Sequence, residues 1–467
     1  MSESRVQDHI DALQDQIQEV QAELEALRST PRVVRTAEEL EALEQEIVRL
    51  TDRLAGLLIG LQIQRSVVQE DVRQEAAELA GRCPRKLRDH GLREVRIRPL
   101  RGEVVEVQVA YYRPRWSGGQ RRGLYPALVL LGIHDRCTPG LSSEVSLLAT
   151  ALGSLEEARG VLRERGVELN IKTLRAITYR YAQRARALLA QEETALEASA
   201  AGARVVVATD GGRLRLRQDC RVLKTGKGRK RYDTDWREPK LLHIYTVDTQ
   251  GRPDRTFVPF IDGTLKGADA LFMLLGHYLA KLDIRTAETV LVVADGAHWI
   301  WNRVQALLQS LGLQAGQWLE LVDFYHAVEH LGRVAASCKN WSQAKRRRWV
   351  KHYRHLLKRG HIDWVIEAIR TLCRGRRSQA LRRERDYFIH NRARMAYGRM
   401  AELKLPLGSG AMESAIRRVV NLRLKGAGIF WHKASAEAML LLRAYYKAGR
   451  WNLLKKMAFS VPNPVLA

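Results

Sequence analysis

Cysteine is scarce in this chain. The five residues, Cys83, Cys137, Cys220, Cys338 and Cys373, are scattered along 467 positions and none forms a CxxC pair. That spacing argues against a disulfide framework or a four-cysteine zinc site and points to a reducing intracellular compartment. Long apolar runs are missing too: no stretch approaches the ~20 residues of a membrane span. The N-terminal MSESRVQDHIDALQ has no basic segment leading into an apolar one, so neither a signal peptide nor a membrane partner is expected. Acidic charge is in deficit, with 52 Asp and Glu against 78 Lys and Arg, a net of +26. Hydrophobic residues still make up 46% of the chain, enough to bury sizeable cores, and its length suits about three domains.

The charge is unevenly placed. Residues 1–80 carry 8 basic and 17 acidic side chains, a net of −9, which leaves +35 for the remainder. Residues 331–405 alone hold 21 basic and 5 acidic groups, a net of +16. An acidic segment followed by a strongly basic body implies a polyanionic partner, nucleic acid first.

The acidic segment reads as coiled coil. Val6, Ile10, Leu13, Ile17, Val20, Leu24 and Leu27 alternate steps of four and three, the seam of a heptad. Ser4 with Gln7 is a candidate cap and Pro31 a stop. After a capping-box pattern at Thr36 and Glu39, the seam returns at Leu40, Leu43, Ile47, Leu50, Leu54, Leu57 and Leu61. Two such helices fit an intramolecular hairpin or pairing with another subunit, with self-association favoured because a lone two-helix hairpin buries little. Residues 94–113 alternate as a β-hairpin around a turn at Arg101-Gly102, and residues 114–123 form a basic linker. Residues 142–188 read as three helices: Ser142 to Leu152, a second opened by Ser154 and Glu157, and a long third capped by Asn170. Lys172, Arg175 and Arg180 on the third, with Thr173 and Thr178, suit a helix-turn-helix that reads DNA.

From Arg204 the pattern turns to strands. ARVVVATDGG, LLHIYTVD and RTFVPFIDG come first, with a turn at Gly251; a helix over roughly 268–282, the strand TVLVVADGAH, a helix through WIWNRVQALLQSLG and the strand WLELVDFYH follow. Three antiparallel-type strands followed by alternating helix and strand is the element order of an RNase H-like α/β fold. A basic helical stretch over 331–405 interrupts it, and the core resumes at LGSGAMESAIRRVVN. The expected organisation is coiled-coil helices over 1–80, a hairpin and linker over 81–123 and a helical DNA-binding domain over 124–200. The core occupies 201–330 and 406–467, with an all-helical insertion over 331–405.

Two of the apolar strands end in acids, Asp210 and Asp295. Carboxylates side by side at strand ends repel each other, and a divalent cation such as Mg²⁺, which prefers hard oxygen ligands, relieves that repulsion. Two ions about 4 Å apart activate an attacking oxygen and stabilise the leaving oxygen of a phosphodiester. Glu413, on the helix entered through Gly408-Ser409-Gly410, is the candidate third acid, although it could instead pair with Arg417 one turn on. The blocks Lys345-Arg346-Arg347-Arg348 and Arg374, Arg376, Arg377, Arg382, Arg383 and Arg385 suit phosphate contacts, as do Arg417, Arg418, Arg423 and Lys425 beyond Glu413. Trp341, Trp349 and Trp364 interleave with this charge; such rings either stack on unpaired bases or pack within the insertion, and packing is favoured.

The segments VVVATDGGR, VVADGAHWIWN, LVDFYHAVEHL and LGSGAMESAIRRVVNLRLKGAG, in this order, resemble bacterial insertion-sequence transposases with a DDE triad on an RNase H-like core. The resemblance covers roughly residues 200–450. It implies Asp210, Asp295 and Glu413 as catalytic and metal-holding residues, with two Mg²⁺ or Mn²⁺ ions. It also implies that 330–405 is the helical insertion of Mutator-like and hAT-like enzymes. Asp323 and His326 match those groups' (Cys/Asp)-x-x-His motif as auxiliary residues. The implied partners are double-stranded transposon-end and target DNA and further copies of the chain, a dimer first, in a prokaryotic, nucleoid-associated cytoplasmic setting. Relatives often carry a zinc ribbon near the N-terminal hairpin. Only Cys83-Pro84 answers to it here, against Arg85-Lys86-Leu87 and Tyr112-Arg113-Pro114, and no zinc is expected. The alternatives are a nuclease or resolvase on the same fold and a transposase-derived DNA-binding protein without activity.

Overall fold

In the computed structural model, which describes residues 2–83, 86–114, 123–190, 195–224, 230–375 and 378–460, the two heptad seams become α1 (Ser2–Ser29) and α2 (Ala37–Val68). They pack on each other within one chain: Leu13, Ile17 and Val20 meet Leu50, Leu57 and Leu61 in a buried cluster. The intramolecular hairpin is therefore formed and covers those seam positions, while Leu40 and Ile47 of the second seam stay 48% and 41% exposed. Thr36 caps α2 by accepting from the Glu39 N–H at 3.2 Å. Ser4 lies inside α1, which begins two residues earlier, so it is not a cap.

The chain divides into two compact units, residues 1–194 with 452–467 and residues 195–451. In the first, α3 (Glu70–Gly81) follows α2 and precedes the antiparallel pair β1 (Leu87–Ile97) and β2 (Val105–Pro114). Ile97 pairs with Val105, so residues 98–104 form the connection, longer than the two-residue turn expected. One hairpin face, Val95, Ile97, Val105, Val107 and Val109, is buried against α2. Gly60 allows that approach, since a Cβ there would lie 3.0 Å from Val105. Four helices follow: α4 (Pro126–Leu130), α5 (Pro139–Ala151), α6 (Leu155–Glu164) and α7 (Ile171–Leu189). Ser154 and Asn170 cap α6 and α7 through the Glu157 and Thr173 N–H groups at 3.0 and 2.8 Å. Pro84, Arg85 and most of the basic linker lie outside the described residues.

The second unit is mixed α/β. Its strands are β3 (Arg204–Gly211), β4 (Leu214–Lys224), β5 (Lys230–Arg237), β6 (Lys240–Val247) and β7 (Phe260–Thr264); after α8 (Ala268–Lys281) come β8 (Thr289–Ala294), α9 (His298–Ser310) and β9 (Trp318–Val322). Five of them form one sheet in the order β7-β6-β3-β8-β9. β6 runs antiparallel to β3 and β7; β8 runs parallel to β3 and β9. Such a sheet buries its central strands on both faces, and β3, β6 and β8 are accordingly continuous apolar runs. β4 and β5 make a separate antiparallel hairpin between β3 and β6, an element not expected from the sequence.

The expected strand through Asp323-Phe-Tyr-His326 stops at Val322. Asp323 instead caps α10 (Phe324–Ser337), because its carboxylate offers the first helical N–H groups a better partner than a further strand position would. The stretch beyond is helical throughout its described residues: α11 (Gln343–Lys358), α12 (Ile362–Cys373), α13 (Gln379–His390) and α14 (Tyr397–Glu402). Then come α15 (Gly410–Ile416), a π-helical turn over Arg417–Asn421, α16 (Lys433–Ala448) and α17 (Trp451–Phe459). Residues 452–460, expected to close the core, belong to the first unit, where Phe459 meets Tyr181 edge-on at 6.2 Å and the Ala458 carbonyl accepts from Arg184 Nε at 3.3 Å. Among the described residues no helix is long and apolar enough to cross a membrane.

Candidate active site

Strand register brings the first two acids together. Thr209 pairs with Ala294 across the parallel strands β3 and β8, so Asp210 and Asp295 leave neighbouring strands at the same level. Asp210 Oδ1 accepts from the Gly211 N–H at 2.6 Å and Asp295 Oδ1 from the Ala297 N–H at 3.0 Å. The Asp295 carbonyl also accepts from Trp301 Nε1 at 2.7 Å, tying the turn to α9. Burial, with the Asp295 and Glu238 charges, pushes the Asp210 carboxyl up to about 6, although the Gly211 N–H and His326 pull the other way. Two carboxylates held near each other without a compensating cation are strained in their ionised form.

A clamp built on Asp323 places the third acid. Asp323 is fully buried. Its Oδ1 accepts from the Tyr325 and His326 N–H groups at 2.6 and 2.9 Å. Its Oδ2 accepts from the Ser409 hydroxyl at 2.6 Å and from the Ser409 N–H. The Phe324 N–H donates to the Leu407 carbonyl at 2.9 Å. Gly408 makes this docking possible, since a Cβ there would sit 2.8 Å from the Tyr325 ring. Burial opposes ionisation of Asp323, but the hydrogen bonds from His326 and Ser409 outweigh it and hold the carboxyl well below the usual carboxylate range. The chain 86 residues on is thus pinned to the end of β9, and α15 starts from that point.

The result is a group of three. Ligating atoms of Asp323, His326 and Glu413 lie within 4.8 Å of one another. Asp210 and Asp295 are outside that group, on the adjoining strand ends, and His326 links the two sets: Asp323, at 3.5 Å, raises the imidazole to about 9 against its burial, and Asp295 and Glu329 add to the effect. The surrounding acids thus favour the protonated imidazole of His326, a group whose ring also lies within ligating distance of Asp323 and Glu413. Asp323 already accepts four hydrogen bonds. Glu413 is exposed, and neither Asp210 nor Asp295 joins it in a group of that tightness.

The insertion braces this edge. Tyr387 of α13 stacks on His330 of α10, ring centroids 3.5 Å apart, while His330 Nδ1 lies 2.5 Å from Glu384 Oε2. Tyr387 and Asn391 abut Gly296, where a Cβ would fall 2.3 Å from the tyrosine ring. Arg394 bridges to Glu320 at 2.6 Å and covers Trp301. None of Ser409, Tyr387, His330 or Glu238 is legible as a site residue from local pattern, because each acts through a contact made far along the chain.

The expected cationic residues divide in two. Lys172 and Arg175 on α7, Lys345, Arg347 and Arg348 on α11, and Arg417 and Lys425 are exposed. Arg180 is paired with Asp135, and Arg346 donates to the Cys338 and Lys339 carbonyls at 3.1 and 3.3 Å. Arg418 donates to the Lys447 carbonyl at 3.2 Å, and Arg423 is buried against Trp431. Thr178 is buried on its own helix. Arg376 and Arg377 lie outside the described residues. Trp341 and Trp349 pack near each other, rings 5.9 Å apart, whereas Trp364 is 64% exposed beside His361. The chain matches no protein-family model, and no curated protein is significantly similar to it.

Proposed function

We propose that the chain is a DDE transposase on an RNase H-like core, cutting transposon-end DNA and joining the freed 3′ hydroxyl to target DNA. The observation that carries this reading is the parallel pairing of β3 with β8, which sets Asp210 and Asp295 at the same level of neighbouring strands, beside a group of Asp323, His326 and Glu413 whose imidazole feels both aspartates. A strand order with the first strand central, antiparallel β6 and then β7 on one side and parallel β8 and β9 on the other supports an RNase H-like reading. The helical stretch between β9 and α15 fits the insertion of the Mutator-like and hAT-like groups, and the exposed cations on α7 and α11 suit duplex DNA.

Asp210, Asp295 and Glu413 would hold two Mg²⁺ or Mn²⁺ ions, and the raised carboxyl of Asp210 is the cation deficit those ions would fill. When bound, they would polarise the attacking and leaving oxygens. In the first step water oxygen attacks phosphorus and the P–O3′ bond breaks, leaving a 3′ hydroxyl and a 5′ phosphate. In the second, that hydroxyl attacks a target phosphodiester in line, and one P–O bond replaces another. Asp323 positions Glu413 through Ser409. His326, as imidazolium, limits the net charge of the acid cluster.

The test is a labelled duplex carrying the DNA that flanks the protein's own coding region, incubated with Mg²⁺ or Mn²⁺ and with EDTA. Cleaved and joined products are expected only with the ion, and Asp295→Asn should lower both at least a thousandfold while duplex binding persists. Cleavage without joining would make the protein a nuclease or resolvase; binding with neither would make it an inactive DNA-binding derivative.

A further inference from the structure

The β4–β5 hairpin continues the β3–β6 ribbon past the edge where the acids sit. Gly211 pairs with Lys240 in the sheet and Leu214 with Arg237 in the hairpin, so only residues 212–213 and 238–239 lie between the two ladders. The hairpin base therefore stands within about 14 Å of chain from Asp210. Glu238 at that base lies over Gly211, where a Cβ would meet its carboxylate at 2.0 Å. Leu214 and Leu216 turn one hairpin face inward, and β4 is held at its back by the Arg217 N–H donating to the Trp431 carbonyl at 2.8 Å.

The other face carries alternating cations and rings. Arg213 lies 5.2 Å from the Trp236 ring, Arg215 lies 5.4 Å from Trp236 and 4.6 Å from Phe430, and Arg217 lies 4.3 Å from Tyr232. Phe430 and Tyr232 are 5.6 Å apart, which closes the row. Arg215 is fixed further by a 2.7 Å hydrogen bond to the Gly426 carbonyl. Trp236 and Tyr232 nevertheless stay 45% and 40% exposed. Rings held in water beside a row of guanidinium groups offer both stacking faces and cations to a ligand.

The geometry points to a binding platform for an unpaired DNA strand next to the acid site. The cations fit phosphates, and the rings fit base faces, which are free only where a strand is unpaired, since a duplex hides them in its own stack. This rests on the proposed DNA chemistry and adds to it the place where a separated strand would lie.

The test uses the full chain in EDTA, so that no cleavage occurs, with a fluorescent mixed-sequence single strand and its duplex. Trp236→Ala and Tyr232→Ala should each weaken single-strand binding about tenfold, in line with ~1–3 kcal/mol for each stacked base, and change duplex binding less than about threefold. Trp236→Phe should keep most of the affinity, and a thermal melt identifies any variant that fails to fold. Equal losses on both DNAs, or no loss in folded variants, would overturn the platform while leaving the cleavage test untouched. A wild-type protein that binds neither DNA would overturn the underlying reading as well.

Discussion

Asp210 is the residue at which fold and chemistry pull against each other. Burial, with the Asp295 charge, raises its carboxyl to about 6 from an ordinary 3.8. A carboxyl with a raised folded value contributes stability below its unfolded pKa and loses it as pH rises through the folded one. The cost therefore develops between about pH 4 and 6, and a rise of this size corresponds to about 3 kcal/mol above that window. Asp210→Asn should stabilise the metal-free protein by that order at pH 7.5 and clearly less at pH 5, measured by urea unfolding. Mn²⁺ should raise the wild-type midpoint at pH 7.5 and have little effect on the variant. An equal effect of the substitution at both pH values would remove the electrostatic account. The acids themselves were legible because apolar runs ending in Asp-Gly stand out. Part of the surroundings that tune Asp210 was not, since Glu238 lies on another element and meets Gly211 only in the fold.

At the scale of elements, the insertion does more than carry charge. Tyr387 of α13 and Asn391 just after it press onto Gly296, one residue beyond Asp295, and the ring is held by its stack on His330. Gly296→Ala must therefore move either α13 or the turn that aims Asp295. Overpacking of this kind costs about 1–3 kcal/mol. The expected outcome is a lower melting temperature and metal-dependent cleavage reduced at least tenfold, with duplex affinity within about twofold of wild type. Unchanged cleavage kinetics would show that α13 does not set the Asp295 geometry. Helix existence was readable from capping pairs such as Ser154 with Glu157, since a cap is local. The β4–β5 hairpin was also written locally, in the alternation of Arg213, Arg215 and Arg217 with Leu214 and Leu216, but it lies between stronger apolar strands. The end of β9 was hidden because Asp323 looks like a strand-end acid until its two helical N–H partners are seen.

For the whole molecule, the charge asymmetry carries the main physical consequence. Each phosphate neutralised by Lys or Arg releases counterions, so duplex affinity should fall steeply and linearly on a log–log plot against salt. Arg347→Glu with Arg348→Glu removes two exposed cations of α11. It should lower the slope of that plot by about one for each phosphate no longer neutralised, equally for unrelated duplex sequences. A slope unaffected by the pair would place the duplex elsewhere. The acidic N-terminal helices fit this picture as a segment that presents little attraction for DNA.

The clamp at Asp323 has one more consequence. Because Phe324 bonds to Leu407 and Asp323 to Ser409, residues 325–406 leave and rejoin the sheet at a single closed neck. Beyond that neck α11 and α12 are freer to lengthen or shrink than α13, whose Tyr387 presses on the turn after Asp295. Under the proposed function, the acid cluster and these outer helices would thereby be free to diverge at different speeds within one polypeptide.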